Sequence, residues 1–450
     1  MANYQGQIPG GYTTETPLTD EATRNTIQKG FQDLTRQEGI LGKLIPMTGE
    51  KFQKTAGFYQ HAVRSGYKPG TGARHHAGLF PMAGSTSPEF AAFKTTQRYG
   101  TVQFDNKYLE TRGAGDIVGG FKEEIKDLFD AKLRQENQAV FGDGSGVVAQ
   151  VDGAPPAGNL TFTAKYWDGS AGGVAGGNGV TYWLEPGDPV NFIDPATGAV
   201  NASAMVTAVN TTTGLVTVNA PVLGAVSASD YIVEGDVNGN SYNLGHDTET
   251  GPFDGIDAVF NMAGTTNVLG DAAGAYHRLT TAAIPRWKPN VVGTDGTLVA
   301  YSPETVLRAM TAATTEVDGE FMFDIAIVNP AWYNEQYAFV EGGIVRDSFA
   351  MANGLKIDSP FIDYMGHKVR IVAHNYAHPN HISVIGSKSW YILEEMPWQF
   401  ETKGGGAVQR VEGRDAQYAT MKQYIQVGCR SPRDNLVIKG VQVNRTGMRY

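Results

Sequence analysis

The feature that most constrains the fold of this chain is the run at residues 113–153, GAGDIVGGFKEEIKDLFDAKLRQENQAVFGDGSGVVAQVDG. Its apolar residues Ile117, Phe121, Ile125, Leu128, Phe129 and Leu133 recur at spacings of three and four, the period of an α-helix. Lys122, Glu123, Glu124, Lys126, Asp127, Lys132 and Arg134 fill the other face. The spacing predicts a long amphipathic helix whose core contacts are Phe121, Ile125, Leu128 and Phe129, laid against a β-sheet of the same domain. Gly142, Gly144 and Gly146 must end it, because glycine favours turns and has poor helix propensity.

The segment before this helix predicts a polar extended arm over 1–18 and a short helix over about 20–38, with Ile27, Phe31 and Leu34 on its apolar face. Residues 57–104 then place two strand-like runs, FYQHAV and FKTTQRYGTVQF, around a stretch punctuated by Gly66, Pro69, Gly70, Gly72, Gly78, Pro81, Gly84 and Pro88. A connection of that length without structure of its own is usually functional. The simplest account is a long hairpin projecting from the body.

After the helix the pattern changes. Residues 155–240 hold short β-branched and aromatic runs such as FTAKY, SAMVTAVN, GLVTVNAPV and DYIVEGD, separated by PATG and NTTTG turns. Their even spacing predicts an inserted small antiparallel barrel or sandwich. Mixed structure follows. PETVLRAMTAATTEV reads as a helix opened by Pro303, FMFDIAIVN as a buried strand, and PAWYNEQYAFVEGG as a second helix opened by Pro330. FIDYMGHKVRIVAHN, HISVIGSKSWYILEE and AQYATMKQYIQVGC read as strands.

Taken together, these motifs resemble the HK97-fold major capsid proteins of tailed bacteriophages. The carriers are the charged helix running into Gly142-Asp143-Gly144-Ser145-Gly146, the long hairpin before it, Asn329-Pro330, Gly366-His367-Lys368-Val369, Ile385-Gly386-Ser387 and the closing SPRDNLVIKGV. The resemblance covers most of residues 20–154 and 245–442. It implies an α+β HK97-like fold with a small antiparallel β-barrel or sandwich inserted. The implied parts are an N-terminal arm at 1–56, an extended E-loop hairpin at 57–104, and a P-domain with the spine helix at 105–154. The inserted β domain takes 155–240, the A-domain with connecting P-domain segments 241–400, and the closing P-domain strands and tail 401–450. A scaffold-like helical segment is not expected before the arm, and the resemblance then implies that scaffolding is supplied by another chain, is absent or was removed.

The resemblance further implies a structural protein that assembles into pentamers and hexamers of an icosahedral head around double-stranded DNA. Its partners would be other copies of itself, with scaffolding, portal and decoration proteins as further candidates. It would sit in the virion after assembly in the host cytoplasm. Arg64, Tyr67, Lys68, Arg74, His75, His76, Phe80 and Phe90 are then the expected contacts between subunits. Lys68, Arg64 and Arg74 with the two histidines make a cationic loop on an acidic protein, suited to docking on acidic surface.

Composition agrees with this. The chain has 450 residues, too many for one ordinary core. Apolar residues make up 41% and charged residues only 18%, with 56 Gly and 21 Pro, which favours strands, turns and long loops over helical bundles. A net charge of −10 opposes broad binding to nucleic acid, so packaged DNA is expected to be enclosed with little specific contact. The one local basic excess, Arg430, Arg433, Lys439, Arg445 and Arg449, reads as a solvated or subunit-facing tail. Cys429 is the only cysteine, which rules out an internal disulfide and a cysteine zinc site. The N-terminus reads as no signal peptide, and no run reaches the roughly 18 apolar residues of a membrane span.

The chain gives no catalytic, cofactor or metal motif. The glycines at 142–146 follow a helix instead of opening one, so they do not form a phosphate loop. Asp143 and Ser145 lack the further oxygen ligands of a calcium loop. His374, His378 and His381 in HNYAHPNH are interrupted by Pro379 and lack the glutamate of a zincin, so they read as loop histidines. No Gly-x-Ser-x-Gly is present. Two other function classes remain at this stage: a β-rich surface adhesin or array protein, suggested by 155–240, and a carbohydrate-active enzyme, suggested by Trp167, Trp183 and many tyrosines.

Overall fold

Glycine and proline punctuation sets the element order. The computed structural model describes residues 52–55, 57–64, 88–105, 114–153, 160–166, 183–195, 197–210, 213–219, 226–228, 230–235, 254–260, 275–280, 284, 287–294, 299–300, 303–316, 323–330, 332, 361–364, 367–402, 408–410 and 416–442. The first strands are β1 (Gln53–Thr55), β2 (Phe58–Arg64), β3 (Pro88–Phe93) and β4 (Thr96–Asp105), followed by the 28-residue helix α1 (Ala114–Phe141). Next come β5 (Val147–Asp152), β6 (Thr161–Lys165), β7 (Pro189–Ile193), β8 (Val200–Asn210), β9 (Leu215–Val218) and β10 (Tyr231–Glu234). After these lie α2 (Ile256–Phe260), β11 (Ala275–Tyr276), β12 (Leu279–Thr280), β13 (Asn290–Val292), β14 (Val299–Ala300) and α3 (Pro303–Glu316). The chain closes with β15 (Ile325–Val328), β16 (Phe361–Tyr364), β17 (His367–Ala373), β18 (Ile382–Ile385), β19 (Trp390–Phe400), β20 (Val408–Arg410), β21 (Ala416–Cys429), β22 (Leu436–Ile438) and β23 (Val441–Gln442). The expected helix over about 20–38 lies outside the described residues, as does nearly all of the one opened by Pro330.

The chain divides into two compact units, the first made of residues 1–43, 97–136 and 394–425. Its sheet contains β19, β21 and β20 in that order, with β4 pairing β21. Ile125, Leu128 and Phe129 of α1 pack in one cluster with Val102, Trp398, Phe400, Ala419 and Met421 of these strands. The amphipathic period of the helix thus lands on the alternate, inward-facing positions of the sheet. Gly100 lets the helix approach closely, since a Cβ there would meet Leu128 Cδ1 at 3.1 Å.

The second unit comprises residues 44–96, 137–393 and 426–450. It contains a six-stranded mixed sheet in the order β13-β22-β18-β15-β17-β16, in which β15 runs parallel to β17 and β13 parallel to β22. Strand β15 is buried at all four positions, which fits its unbroken apolar sequence. Helix α3 supplies Val306, Ala309, Met310 and Ala313 to the same core. Asn435, fully buried, ties the closing segment down. Its Oδ1 accepts from Trp390 Nε1 at 2.8 Å and from the Gly386 N–H at 3.3 Å, while Nδ2 donates to the Ser431 carbonyl at 3.1 Å. A buried amide so well satisfied fixes geometry instead of costing stability.

The same unit holds a closed antiparallel barrel in the order β10-β5-β6-β9-β8-β7. Phe162 and Phe192 meet edge-to-face at 5.1 Å between ring centroids. Of the two expected alternatives, barrel or sandwich, the chain forms the barrel, and closure leaves it no free edge. The barrel also reaches upstream of the expected start at residue 155. β5, at residues 147–152, pairs both β10 and β6.

Two strand expectations are corrected. The run FKTTQRYGTVQF is not the returning arm of the hairpin. PEFAAF, as β3, pairs β2 in register from Tyr59↔Phe93 to Arg64↔Pro88, and β4 goes to β21. Ala91 and Phe93 are the reason, because they alternate with the exposed Phe90 and the half-buried Ala92 to give β3 a buried side that matches that of β2. HISVIGSKSWYILEE is also not one strand. A 3-10 turn at Ser387–Ser389 divides it into β18 and β19, held by Asp324, whose carboxylate accepts from the Ser387 N–H at 2.7 Å.

Candidate functional site

The hairpin and the helix-end turn are the two features that sequence reasoning singles out. Strand β2 inserts His61 and Val63 on one side, and β3 inserts Ala91 and Phe93 beside them. Phe93 is 0% exposed, whereas Phe90, on the opposite face, is 49% exposed. The root of the hairpin is therefore anchored and its other face is open. Of the expected contact residues, Tyr67, Lys68, Arg74, His75, His76 and Phe80 lie outside the described residues, and for Arg64 only the backbone is described.

The anchor is an aromatic cluster. Phe93 stacks on His277 at 4.8 Å between centroids and meets Phe52 and Tyr391, each at 5.4 Å. The Ala92 N–H donates to the His277 carbonyl at 3.0 Å, joining β3 to the β11–β12 hairpin. That hairpin turns on His277 and Arg278, whose φ values are 48° and 64°. Left-handed backbone at two successive non-glycine residues is strained and persists only where the surroundings fix it. Here the His277 ring is fixed by Asp254 Oδ2 at 3.2 Å and by the Tyr391 hydroxyl at 3.4 Å. Arg278 is exposed, with its guanidinium 3.8 Å from the Phe58 ring centroid.

Sequence reasoning missed this cluster. Its members come from segments up to about 340 residues apart, and no local motif unites them. Burial pushes the Tyr276 hydroxyl well above its usual pKa and the Cys429 thiol up to about 12, so the one cysteine is an inert core residue.

The helix-end turn forms by local chemistry. The Gly142 N–H donates to the carbonyls of Gln138 at 3.1 Å and Ala139 at 3.2 Å, completing the last turn of α1. Asp143 Oδ1 then accepts from the Ser145 N–H at 2.9 Å and from the Ser145 hydroxyl, which in turn accepts from the Val147 N–H at 3.3 Å. Gly144 and Gly146 take φ values of 85° and 78°, open to glycine and strained for other residues. Asp143 and Ser145 thus act inside the turn, sending the chain directly into β5.

The expected core residues of α1 divide in the same way. Ile125, Leu128 and Phe129 stand in the core described above, and the Phe121 side chain lies outside the described residues. Glu136 was not anticipated. It is buried on the same helix and accepts a hydrogen bond from Trp398.

The three loop histidines have structural partners. His374 Nδ1 accepts from the Tyr376 N–H at 3.3 Å, and its ring stacks on Phe141 at 4.9 Å. His378 Nδ1 accepts from the Asn380 N–H at 3.1 Å, and the ring stacks on His381 at 3.8 Å. Among the described residues no group of three or more His, Cys, Asp or Glu could hold a metal ion, and no helix is long and apolar enough to cross a membrane.

No family model matches the chain, and no curated protein matches it. Among solved structures, it is similar to the capsid asymmetric unit of cyanophage A-1(L), at 13% identity and a TM-score of 0.47, covering 98% of this chain and 97% of that one. It is also similar to a structure of Gordonia phage Cozz, at 10% identity and TM-score 0.41, covering 90% of this chain and 86% of that one. A third likeness is to the capsid of a native GTA particle, at 9% identity and TM-score 0.41, covering 89% of this chain and 90% of that one.

Proposed function

We propose that this chain is the major capsid protein of a tailed phage, with an HK97-like fold. The observation that carries the reading is internal to the chain. A hairpin with an anchored root and an open face precedes a long amphipathic helix that ends in a Gly-Asp-Gly-Ser-Gly turn, and a mixed sheet follows. In this reading residues 1–56 are the arm, 57–104 the E-loop and 105–154 the P-domain with its spine helix. Residues 241–400 form the A-domain and 401–450 the closing P-domain strands. The inserted domain spans 155–240 and borrows β5 from upstream.

Copies of the chain associate into pentamers and hexamers that close an icosahedral head around double-stranded DNA. Closed symmetry needs complementary patches on every copy, and a projecting hairpin supplies one with high reach. Phe90 presents apolar surface that a neighbouring copy can cover, each Å² buried contributing roughly 25 cal/mol. Arg64, Lys68 and Arg74 steer the loop onto acidic surface of the next copy, with Tyr67, His75, His76 and Phe80 completing the contact. The role is structural and not enzymatic. The protein belongs to the virion after assembly in the host cytoplasm, with scaffolding, portal and decoration proteins as partners.

The test shortens the hairpin. β2 and β3 pair up to Arg64↔Pro88, so residues 65–87 can be replaced by a short Gly-Ser turn without touching the anchored root. Melting temperature should stay near that of the parent, while sedimentation and electron microscopy should show no closed shells. Normal shells from the shortened protein would overturn the role of the hairpin. A parent chain that remains monomeric under all assembly conditions would overturn the capsid reading itself.

A further inference from the structure

His61 sits on β2 with its ring among those of Trp287 and Tyr391, each at 5.9 Å between centroids, Phe93 at 6.2 Å and Phe52 at 6.3 Å. Both ring nitrogens are out of reach of solvent and neither has a hydrogen-bond partner among the described residues. A buried imidazole in that state gains nothing from its polar atoms and has no carboxylate to receive a proton's charge. The charged and titratable groups that face it come from several elements. The β11–β12 turn brings His277, 6.5 Å away between centroids, and the residues before α2 bring Asp254. Asp254 is already engaged: its Oδ2 lies 3.2 Å from His277 Nε2 and accepts from Gln426 Nε2 at 3.3 Å. The end of β21 brings Arg430, whose guanidinium lies 5.8 Å from the Phe52 ring centroid and 5.6 Å from that of Tyr391. β11 and β19 bring the phenols of Tyr276 and Tyr391.

We propose that His61 makes the three-stranded β1–β2–β3 sheet an acid-sensitive latch. A proton on His61 places an unpaired cation beside His277 and Arg430, and the sheet, with the hairpin it carries, lets go of the β11–β12 turn. The latch is closed at neutral pH, because burial, with His277 and Arg430 adding to it, lowers the His61 pKa from 6.5 to about 3. Once released, the imidazole regains an ordinary affinity for protons. Between about pH 6 and pH 4 the released form therefore takes up a proton that the latched form refuses. The equilibrium then moves toward release about tenfold for each pH unit. The device is a property of the folded chain and does not depend on the capsid reading.

The test is hydrogen exchange of the amides at residues 91–93 in the full chain, each rate divided by the intrinsic chemical rate at the same pH. The Ala92 amide reports directly on the bond to the His277 carbonyl. In the parent protein, protection should fall about tenfold per pH unit between about pH 6 and pH 4. In His61→Phe, which keeps a ring and removes the titration, protection should not change over that range. Should that variant fail to fold, His61→Leu is read in the same way. The same fall in protection in the variant, or no fall in the parent, overturns the proposal.

Discussion

The indole Nε1 of Trp398 donates to Glu136 Oε1 at 3.3 Å, and both side chains are buried. The second carboxylate oxygen, Oε2, is buried with no hydrogen-bond partner among the described residues. Burial raises the pKa of Glu136 and Glu394 adds to this, while Arg98, the Trp398 bond and Lys132 pull the other way without cancelling it. A carboxyl whose folded pKa lies above its unfolded one binds its proton more tightly when folded. Its contribution to stability is therefore greatest at low pH and falls as pH rises through the window above the ordinary glutamate value. In Glu136→Gln the indole bond can persist and this dependence is gone. The parent should gain stability relative to the variant as pH is lowered from 8 to 5, by at most about 1.4 kcal/mol per pH unit. Thermal melts of both proteins across that range check this, and parallel curves would contradict it.

Phe129 is the most buried of the three α1 residues in the cluster with Trp398 and Met421. Phe129→Asp would place a carboxylate among Val102, Trp398 and Met421, none of which carries a positive charge to balance it. The expected cost is several kcal/mol, enough to unfold a marginally stable unit. Cooperative melting at the parent temperature would refute the packing described for this helix.

The contrast between Phe129 and Glu136 shows how far the sequence could be read. Ile125, Leu128 and Phe129 announce themselves by their period. Glu136 stands seven residues after Phe129, on the same stripe, and that placement is the signal that it would be buried; a reading that assigns every charge to the solvent face passes over it. The helix end was legible because Gly142, Asp143, Gly144, Ser145 and Gly146 act through contacts two to four residues apart. The pairing of β2 with β3 was not, because residues 88–93 and 96–105 are both strands, separated only by Lys94 and Thr95. Which of them returns to β2 depends on β21, more than 300 residues away, taking the other. The His61, Asp254 and His277 cluster was illegible for the same reason.

Two glycines near the helix end should respond oppositely to alanine. At Gly255 a new Cβ would come closer than 3.0 Å to the carbonyl oxygens of Ala139, Val140 and Gly142, all of them backbone that cannot step aside. Gly255→Ala should therefore destabilise the protein by roughly 1–3 kcal/mol or more. At Gly142 the nearest atom to a new Cβ is the Ala139 oxygen, at an ordinary 3.6 Å. Gly142→Ala should leave stability within about 1 kcal/mol of the parent. Denaturant titrations of the two variants check the contrast. Equal effects would mean that the residues before α2 do not approach the end of α1 as described.

The barrel should fold alone only when its first strand is kept. By sequence pattern its boundary falls at residue 155, where the turn-rich β pattern begins, but β5 at Val147–Asp152 closes the ring. Val151 pairs with Ala164 of β6 and Ala149 with Ile232 of β10. Ala149 and Val151 are both fully buried, so without β5 the strands β6 and β10 would each expose an unpaired edge and part of the interior. A fragment of residues 146–236 should show β-type circular dichroism and a cooperative melt. A fragment of residues 157–238, which contains every strand of the apparent domain except β5, should be unfolded or aggregated. Cooperative folding of the shorter fragment would mean that β5 belongs to the body of the protein and only leans on the barrel.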